Sequence, residues 1–132
     1  MQTPDTVLIV EDEPLVRTIA MVLIEEELGC RCEIAVNRDE ALRLLQDHAE
    51  RIAVIFTDLY MASDNDGAEL ARIVSRRWPW IGILVTSGGA PPHVSALPGK
   101  AKFVSKPWRP DEVKRFMASR LPSLSTPASR SS

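Results

Sequence analysis

Four short, mostly apolar runs divide the chain, and each ends in a residue suited to phosphate or a divalent cation. Val7-Leu8-Ile9-Val10 runs into Glu11-Asp12, and Ile52 through Thr57 runs into Asp58. Ile81 through Val85 runs into Thr86, and Lys102-Phe103-Val104-Ser105 runs into Lys106. Continuous aliphatic runs of this kind belong to strands buried on both faces, as in a parallel sheet. A fifth segment, Cys30 to Val36, alternates polar and apolar positions and suits a strand at a sheet edge. Between these runs the apolar residues recur at helical spacing. Pro14 suits a first helical position, Leu15, Ile19, Val22 and Leu23 follow, and Gly29 supplies a stop. Asn37 with Glu40 resembles a capping box opening a helix through about His48. Asp66 and Glu69 open another, with Leu70, Ile73 and Val74 inward, ending before Trp78-Pro79. The last begins at Pro110 and carries Val113, Phe116, Met117 and Leu121 on one face.

Strands alternating with helices predict an α/β fold with a doubly wound five-stranded parallel sheet, in the order 2-1-3-4-5. Four helices are well signalled. Where a fifth would stand, between Thr86 and Phe103, the chain has Gly88-Gly89, Pro91-Pro92 and Pro98-Gly99 around one weak apolar triplet. That composition predicts a short or frayed fourth helix over 88–99, in a mobile part of the domain. From Pro122 onward Ser, Thr, Pro and Ala dominate, so residues 1–121 are expected to form one domain and 122–132 a disordered tail.

The 132 residues suit a single domain, and a hydrophobic fraction of 45% with 26% charged residues is ordinary for a globular protein. The net charge of −2 and the scattering of basic residues argue against a nucleic-acid surface. No apolar run approaches membrane-spanning length, and the start lacks a secretory signal, so a cytoplasmic protein without a membrane partner is expected. Cys30 and Cys32 share a strand face, but no further cysteine completes a zinc site. They are read as thiols without chemistry, and His48 and His93 as solvated residues.

The strand ends carry the chemistry. In an open α/β sheet the ligand site lies just beyond the carboxyl ends of the strands. With the order 2-1-3-4-5, Glu11 and Asp12 come beside Asp58. Three close carboxylates hold protons or recruit a cation, and hard oxygen donors select Mg²⁺, with Mn²⁺ as the alternative. A cation beside an ammonium, Lys106, and a hydroxyl, Thr86, is equipment for phosphoryl transfer. Asp58, on the central strand, is the candidate nucleophile, because a carboxylate can itself become an aspartyl phosphate.

Val7 through Pro14, Thr57-Asp58-Leu59 with Met61 and Gly67, Val85-Thr86-Ser87-Gly88, and Phe103 through Pro107 occur in order at family spacing. Together they resemble the receiver domain of bacterial two-component response regulators, over about residues 6 to 121, with its flavodoxin-like fold. The resemblance implies that Asp58 is the phosphoacceptor and Lys106 the phosphate-binding lysine. It implies that Asp12 ligates Mg²⁺ directly, Glu11 through water, and Tyr60 through its main-chain carbonyl, with Asp58 completing the protein ligands. It implies that Thr86 and Phe103 form a switch pair, that the Lys106-Pro107 bond is often cis, and that the phosphate donor is a sensor histidine kinase or a histidine phosphotransfer protein. With no output domain of its own, such a chain would act on an unknown downstream protein or within a phosphorelay, and would catalyse only its own phosphorylation and dephosphorylation. Three departures stand out: Ala62 occupies the place of the family's proline; the loop from Met61 to Gly67 is one residue longer than usual, with Asp64 and Asp66 in it; and, the largest, the segment before Phe103 is abbreviated, so that the switch is expected to work by ordering or disordering a loop.

Of the three tryptophans, Trp108 lies beside the site and is a candidate for partner binding, while Trp78 and Trp80 suit packing over a helix-to-strand turn. Two other readings compete with this one. A receiver-shaped binding module that works without phosphate is the alternative, but it leaves the intact acidic pair, Asp58, Thr86 and Lys106 unused. A phosphohydrolase or nucleotide enzyme lacks a phosphate loop and any glycine-rich dinucleotide turn.

Overall fold

The structure is a computed structural model that describes residues 3–61, 66–88 and 97–121. Five strands, β1 (Thr6–Val10), β2 (Arg31–Ala35), β3 (Ile52–Asp58), β4 (Gly82–Ser87) and β5 (Lys102–Ser105), form one sheet. Their order is β2-β1-β3-β4-β5 and every pair is parallel. The doubly wound order expected from the apolar runs is present, with the alternating segment at one edge. Four α-helices cover the sheet among the described residues: α1 (Pro14–Met21), α2 (Arg38–His48), α3 (Asp66–Arg77) and α4 (Pro110–Arg120).

The expected tail over 122–132 lies outside the described residues. So do residues 89–96, on which most of the expected short helix falls, and Ala62 and Asp64.

The two faces of the sheet bury different helices. Leu8, Val10, Ile55, Ile83 and Val85 pack with Leu45 of α2 and Leu70 and Val74 of α3. Val7, Ile9, Val54, Phe56, Leu84 and Val104 pack with Ile24, Val113, Met117 and Leu121 on the α1/α4 side. Successive strand residues alternate faces. The continuous apolar runs exist because both sides are covered.

Local signals act much as their chemistry suggests. The Asn37 side chain accepts from the Glu40 amide at 2.8 Å, and the Glu40 carboxylate accepts from the Val36 amide at 3.1 Å. This is a capping box whose return bond lands one residue early. Trp78 is buried under the guanidinium of Arg77, and the Trp80 indole donates to the Ala49 carbonyl, so both pack near the α3–β4 turn. Cys30 is buried, Cys32 half-buried, and both are free thiols.

The first helix differs from its sequence pattern. Leu23 is buried, but Leu15, Ile19 and Val22 are 67%, 51% and 38% exposed. The inward row is Ala20, Leu23 and Ile24, and α1 continues into a π-helical turn over Val22–Glu27. In that turn the Leu28 amide reaches back five residues to the Leu23 carbonyl, at 3.1 Å. A second apolar stripe is thus left facing outward, and its Ile19 and Val22, with Val16, form one wall of a groove whose other wall is Pro107, Trp108 and Pro110.

Gly67 sets how closely α3 meets the end of β3. A Cβ at this position would lie 1.9 Å from the Asp58 carbonyl oxygen and 2.7 Å from the Leu59 Cα, both backbone atoms that cannot step aside. Its amide donates to the Leu59 carbonyl at 3.0 Å. Gly67→Ala is therefore expected to destabilise the fold by about 3 kcal/mol, while Gly99→Ala, with nothing within 4 Å of its Cβ, leaves stability nearly unchanged. Thermal or urea unfolding of the two variants side by side measures the contrast, and equal midpoints would refute it.

Candidate functional site

The sheet's hydrogen bonds run one step past the strands and fix the rim. The Glu11 amide donates to the Ala35 carbonyl at 3.1 Å, Leu59 to Thr86 at 2.8 Å, and Lys106 to Ser87 at 3.0 Å. Asp58 stands opposite Thr86 in the β3–β4 ladder. Residues from four separate stretches of sequence therefore meet at one end of the sheet.

Lys106 lies at the centre. Its Nζ is 3.3 Å from Glu11 Oε1 and 3.4 Å from Asp58 Oδ2. The other Glu11 oxygen accepts from the Glu13 amide at 3.1 Å, and Arg17 donates to the Glu11 carbonyl at 3.1 Å. Carboxylate oxygens of Glu11, Asp12 and Asp58 all lie within 4.8 Å of one another. Glu11 and Asp58 are only 3% and 8% exposed, whereas Asp12 is open to solvent.

Burial pushes the Glu11 carboxyl above the usual carboxylate range, and the neighbouring Asp58 charge adds to this against the pull of the Glu13 amide and Lys106. Burial likewise raises Asp58, while Lys106 and the amides of Tyr60 and Leu59 oppose the rise. Both groups are thus short of compensating positive charge despite the lysine. The donor set is hard oxygen with one solvent-facing member, which fits a small divalent cation that keeps part of its water shell.

The remaining expected site residues fall as follows. Tyr60 follows the end of β3 and its side chain is exposed, with its amide on the Asp58 carboxylate. The Lys106–Pro107 bond is cis. Thr86 is 2% exposed, and its Oγ1 accepts a 2.5 Å hydrogen bond from the Trp108 indole nitrogen. Phe103 pairs with Val85, not Thr86, and packs with the cluster on the α2/α3 side. By strand alternation Thr86 shares the opposite face with Leu84 and Phe56. The ring touching the hydroxyl is that of Trp108, which also packs on Phe56 with centroids 4.9 Å apart. A hollow of about 10 Å³, room for one water at most, is lined by Glu11, Asp58, Thr86 and Trp108 among others.

Sequence reasoning placed Trp108 at a surface and missed its inward bond. A usable signal was present: a tryptophan two residues past Lys106 needs an acceptor for its N–H when it packs inward, and Thr86 offers one on that face.

No helix among the described residues is long and apolar enough to cross a membrane. The family model for the response regulator receiver domain matches residues 7–118. An NtrX-like response regulator of Rickettsia bellii is 26% identical over 111 residues, covering 81% of this chain and 23% of that protein. The chain thus spans about a quarter of the length of this curated relative. Among solved structures, a response regulator receiver domain protein from Clostridium thermocellum is 19% identical with a TM-score of 0.78, covering 87% of this chain and 92% of the other. A CheY-like receiver domain protein from Methanospirillum hungatei JF-1 gives 20% identity and a TM-score of 0.75, with 93% and 98% covered. With the family model spanning nearly all of the described residues, the chain belongs to the response regulator receiver domains.

Proposed function

We propose that this receiver takes a phosphoryl group from a phosphohistidine onto Asp58 and signals by partner binding or within a phosphorelay. The observation that carries this reading is the ammonium of Lys106 set between Glu11 and Asp58 with Asp12 alongside. Glu11, Asp12, Asp58 and the Tyr60 main-chain carbonyl would hold Mg²⁺, or Mn²⁺ in its place. When bound, such a cation supplies positive charge beside the carboxylates and the phosphoryl oxygens.

In the transfer an Asp58 oxygen attacks phosphorus, and the P–N bond of the donor breaks as the new P–O bond forms. The imidazole nitrogen keeps the electron pair and takes a proton from solvent. Lys106, already within reach of Asp58, pairs with the phosphoryl oxygens, and the Thr86 hydroxyl donates to one of them. Phe103 is the ring that family members couple to this hydroxyl. Attack of water on the phosphorus later returns the carboxylate and inorganic phosphate, so the chemistry is confined to the chain's own phosphorylation and dephosphorylation. The donor is a sensor histidine kinase or a histidine phosphotransfer protein in the cytoplasm, and Trp108 beside the site is the candidate for contact with a protein partner.

Asp58→Asn is expected to abolish labelling by a radiolabelled phosphohistidine donor; full labelling of the variant would remove Asp58 from the role. A second expectation concerns the cation. The raised values of Glu11 and Asp58 mean that their contribution to stability is complete below the ordinary carboxylate pKa of about 4. It is lost as pH rises through their folded-state values. The metal-free protein should therefore lose stability on approaching neutral pH. Saturating Mg²⁺ should restore it, by about 2.7 kcal/mol at a hundredfold excess over Kd, and restore less in acid, where protons compete for the ligands. Melting curves across pH with and without Mg²⁺ measure both trends, and a Mg²⁺ effect equal at all pH values would contradict them.

A further inference from the structure

Trp108 is tied to the site by two observations that the phosphoacceptor reading does not use. Its indole N–H donates to Thr86 Oγ1, and its ring packs on Phe56, the residue two before Asp58 on the same face of β3. An indole nitrogen is donor only, so this bond has one direction: the threonine oxygen is the acceptor. Thr86 is nearly fully buried, which leaves its hydroxyl little solvent to turn to. Trp108 is half-buried and also lines the apolar groove, together with Ile19 and Val22. One residue thus touches both the hydroxyl meant for the phosphoryl group and the protein surface.

We propose that Trp108 is a positioning residue that latches Thr86 in the unphosphorylated arrangement, and that phosphorylation releases it. This rests on the reading of Asp58 as phosphoacceptor and goes beyond it. While the indole holds Oγ1, the threonine side chain is fixed against Trp108 and is not free to turn onto a group on Asp58. The hydroxyl still has its own proton to give while its oxygen accepts from the indole, so the release comes from displacement: a phosphoryl oxygen at Asp58 draws Oγ1 toward itself through a charge-assisted bond and out of the indole's reach. Thr86 then turns, the indole N–H loses its buried acceptor, and the ring must shift to find water. Because Trp108 lines the groove, the surface between α1 and α4 changes with the state of Asp58.

The experiment uses beryllofluoride with Mg²⁺ as the probe of the phosphorylated state. The chain holds three tryptophans, so a nitrogen-correlated spectrum contains three indole signals, and Trp108→Phe identifies one of them. In the wild-type protein the Trp108 signal is expected to move and its proton to exchange faster with solvent when beryllofluoride binds. Trp108→Phe keeps a ring on Phe56 and removes the N–H, so it should bind beryllofluoride about five-fold more tightly, the factor that one net hydrogen bond supplies. On a Thr86→Val background the same change should have no effect, since there is no hydroxyl to latch. A Trp108 signal indifferent to beryllofluoride overturns the latch while leaving Asp58 in place. So does an affinity that is unchanged or weakened in the variant, or one that gains equally on the Thr86→Val background. Failure of the wild-type protein to bind beryllofluoride with Mg²⁺ overturns the phosphoacceptor reading itself, and the latch with it.

Discussion

Everything at the rim of this sheet answers to one electrostatic constraint: three carboxylates within 4.8 Å of one another share a single ammonium. Lys106 offsets one of the three charges, at distances of 3.3 and 3.4 Å that are long for a charge-assisted bond. Two negative charges remain uncompensated, with two of the acids buried. Burial of unpaired charge is expensive enough that a group prefers to bind a proton or a cation. The raised values of Glu11 and Asp58 express the first choice, and the solvent-facing Asp12 supplies an entry for the second. That deficit is what the proposed chemistry would use: a divalent ion in the pocket and Lys106 would together offset the charge of a phosphoryl group on Asp58.

That constraint can be met only if four strand ends stay in register. Glu11 and Lys106 are 95 residues apart in sequence, and nothing local brings them together. The parallel ladder does so, by extending its hydrogen bonds past β1, β3 and β5. A one-residue slip of β3 would send Asp58 to the α2/α3 face and replace it at the rim with Thr57. Gly67 guards the same geometry from the other direction, since no side chain fits between α3 and the Asp58 carbonyl. Foldability and chemistry are coupled here through a few backbone contacts of very short range.

Much of this is legible in the amino-acid sequence. Buried parallel strands write themselves as aliphatic runs, so the sheet, its order and the convergence of Glu11, Asp12, Asp58, Thr86 and Lys106 could all be read. The helix boundaries were readable too, where a cap or a proline marks them, as at Asn37, Trp78-Pro79 and Pro110. What could not be read depended on how elements turn about their own axes. Leu15, Ile19 and Val22 have helical spacing, and only the packing of Ala20, Leu23 and Ile24 shows that this stripe faces out. The partner of Thr86 was hidden for a related reason. Motif order names Thr86 and Phe103 together, and the register sets Phe103 beside Val85; the side chain bonded to the hydroxyl is that of Trp108, a loop residue that no strand pattern could place.

The magnitudes show why a second point of leverage on Thr86 is useful to a switch. Moving a two-state protein from 1:99 to 99:1 requires about 5.5 kcal/mol of differential binding. A phosphoryl group brings a charge of about −1.5 to −2, but a single charge-assisted hydrogen bond contributes only about 1.5–3 kcal/mol. Lys106 is already engaged with two carboxylates before phosphorylation, so its pairing with the new oxygens counts only as a difference. On the latch proposal, Thr86 is a group at the rim whose oxygen would leave the indole N–H as its own proton goes to a phosphoryl oxygen. An exchange has two consequences where a new bond has one: the site gains a donor, and a bulky side chain beside an exposed apolar groove loses its anchor. The energy that a phosphoryl group at Asp58 would make available is modest, and a latch on Thr86 would deliver it to the groove wall, where apolar side chains already face outward.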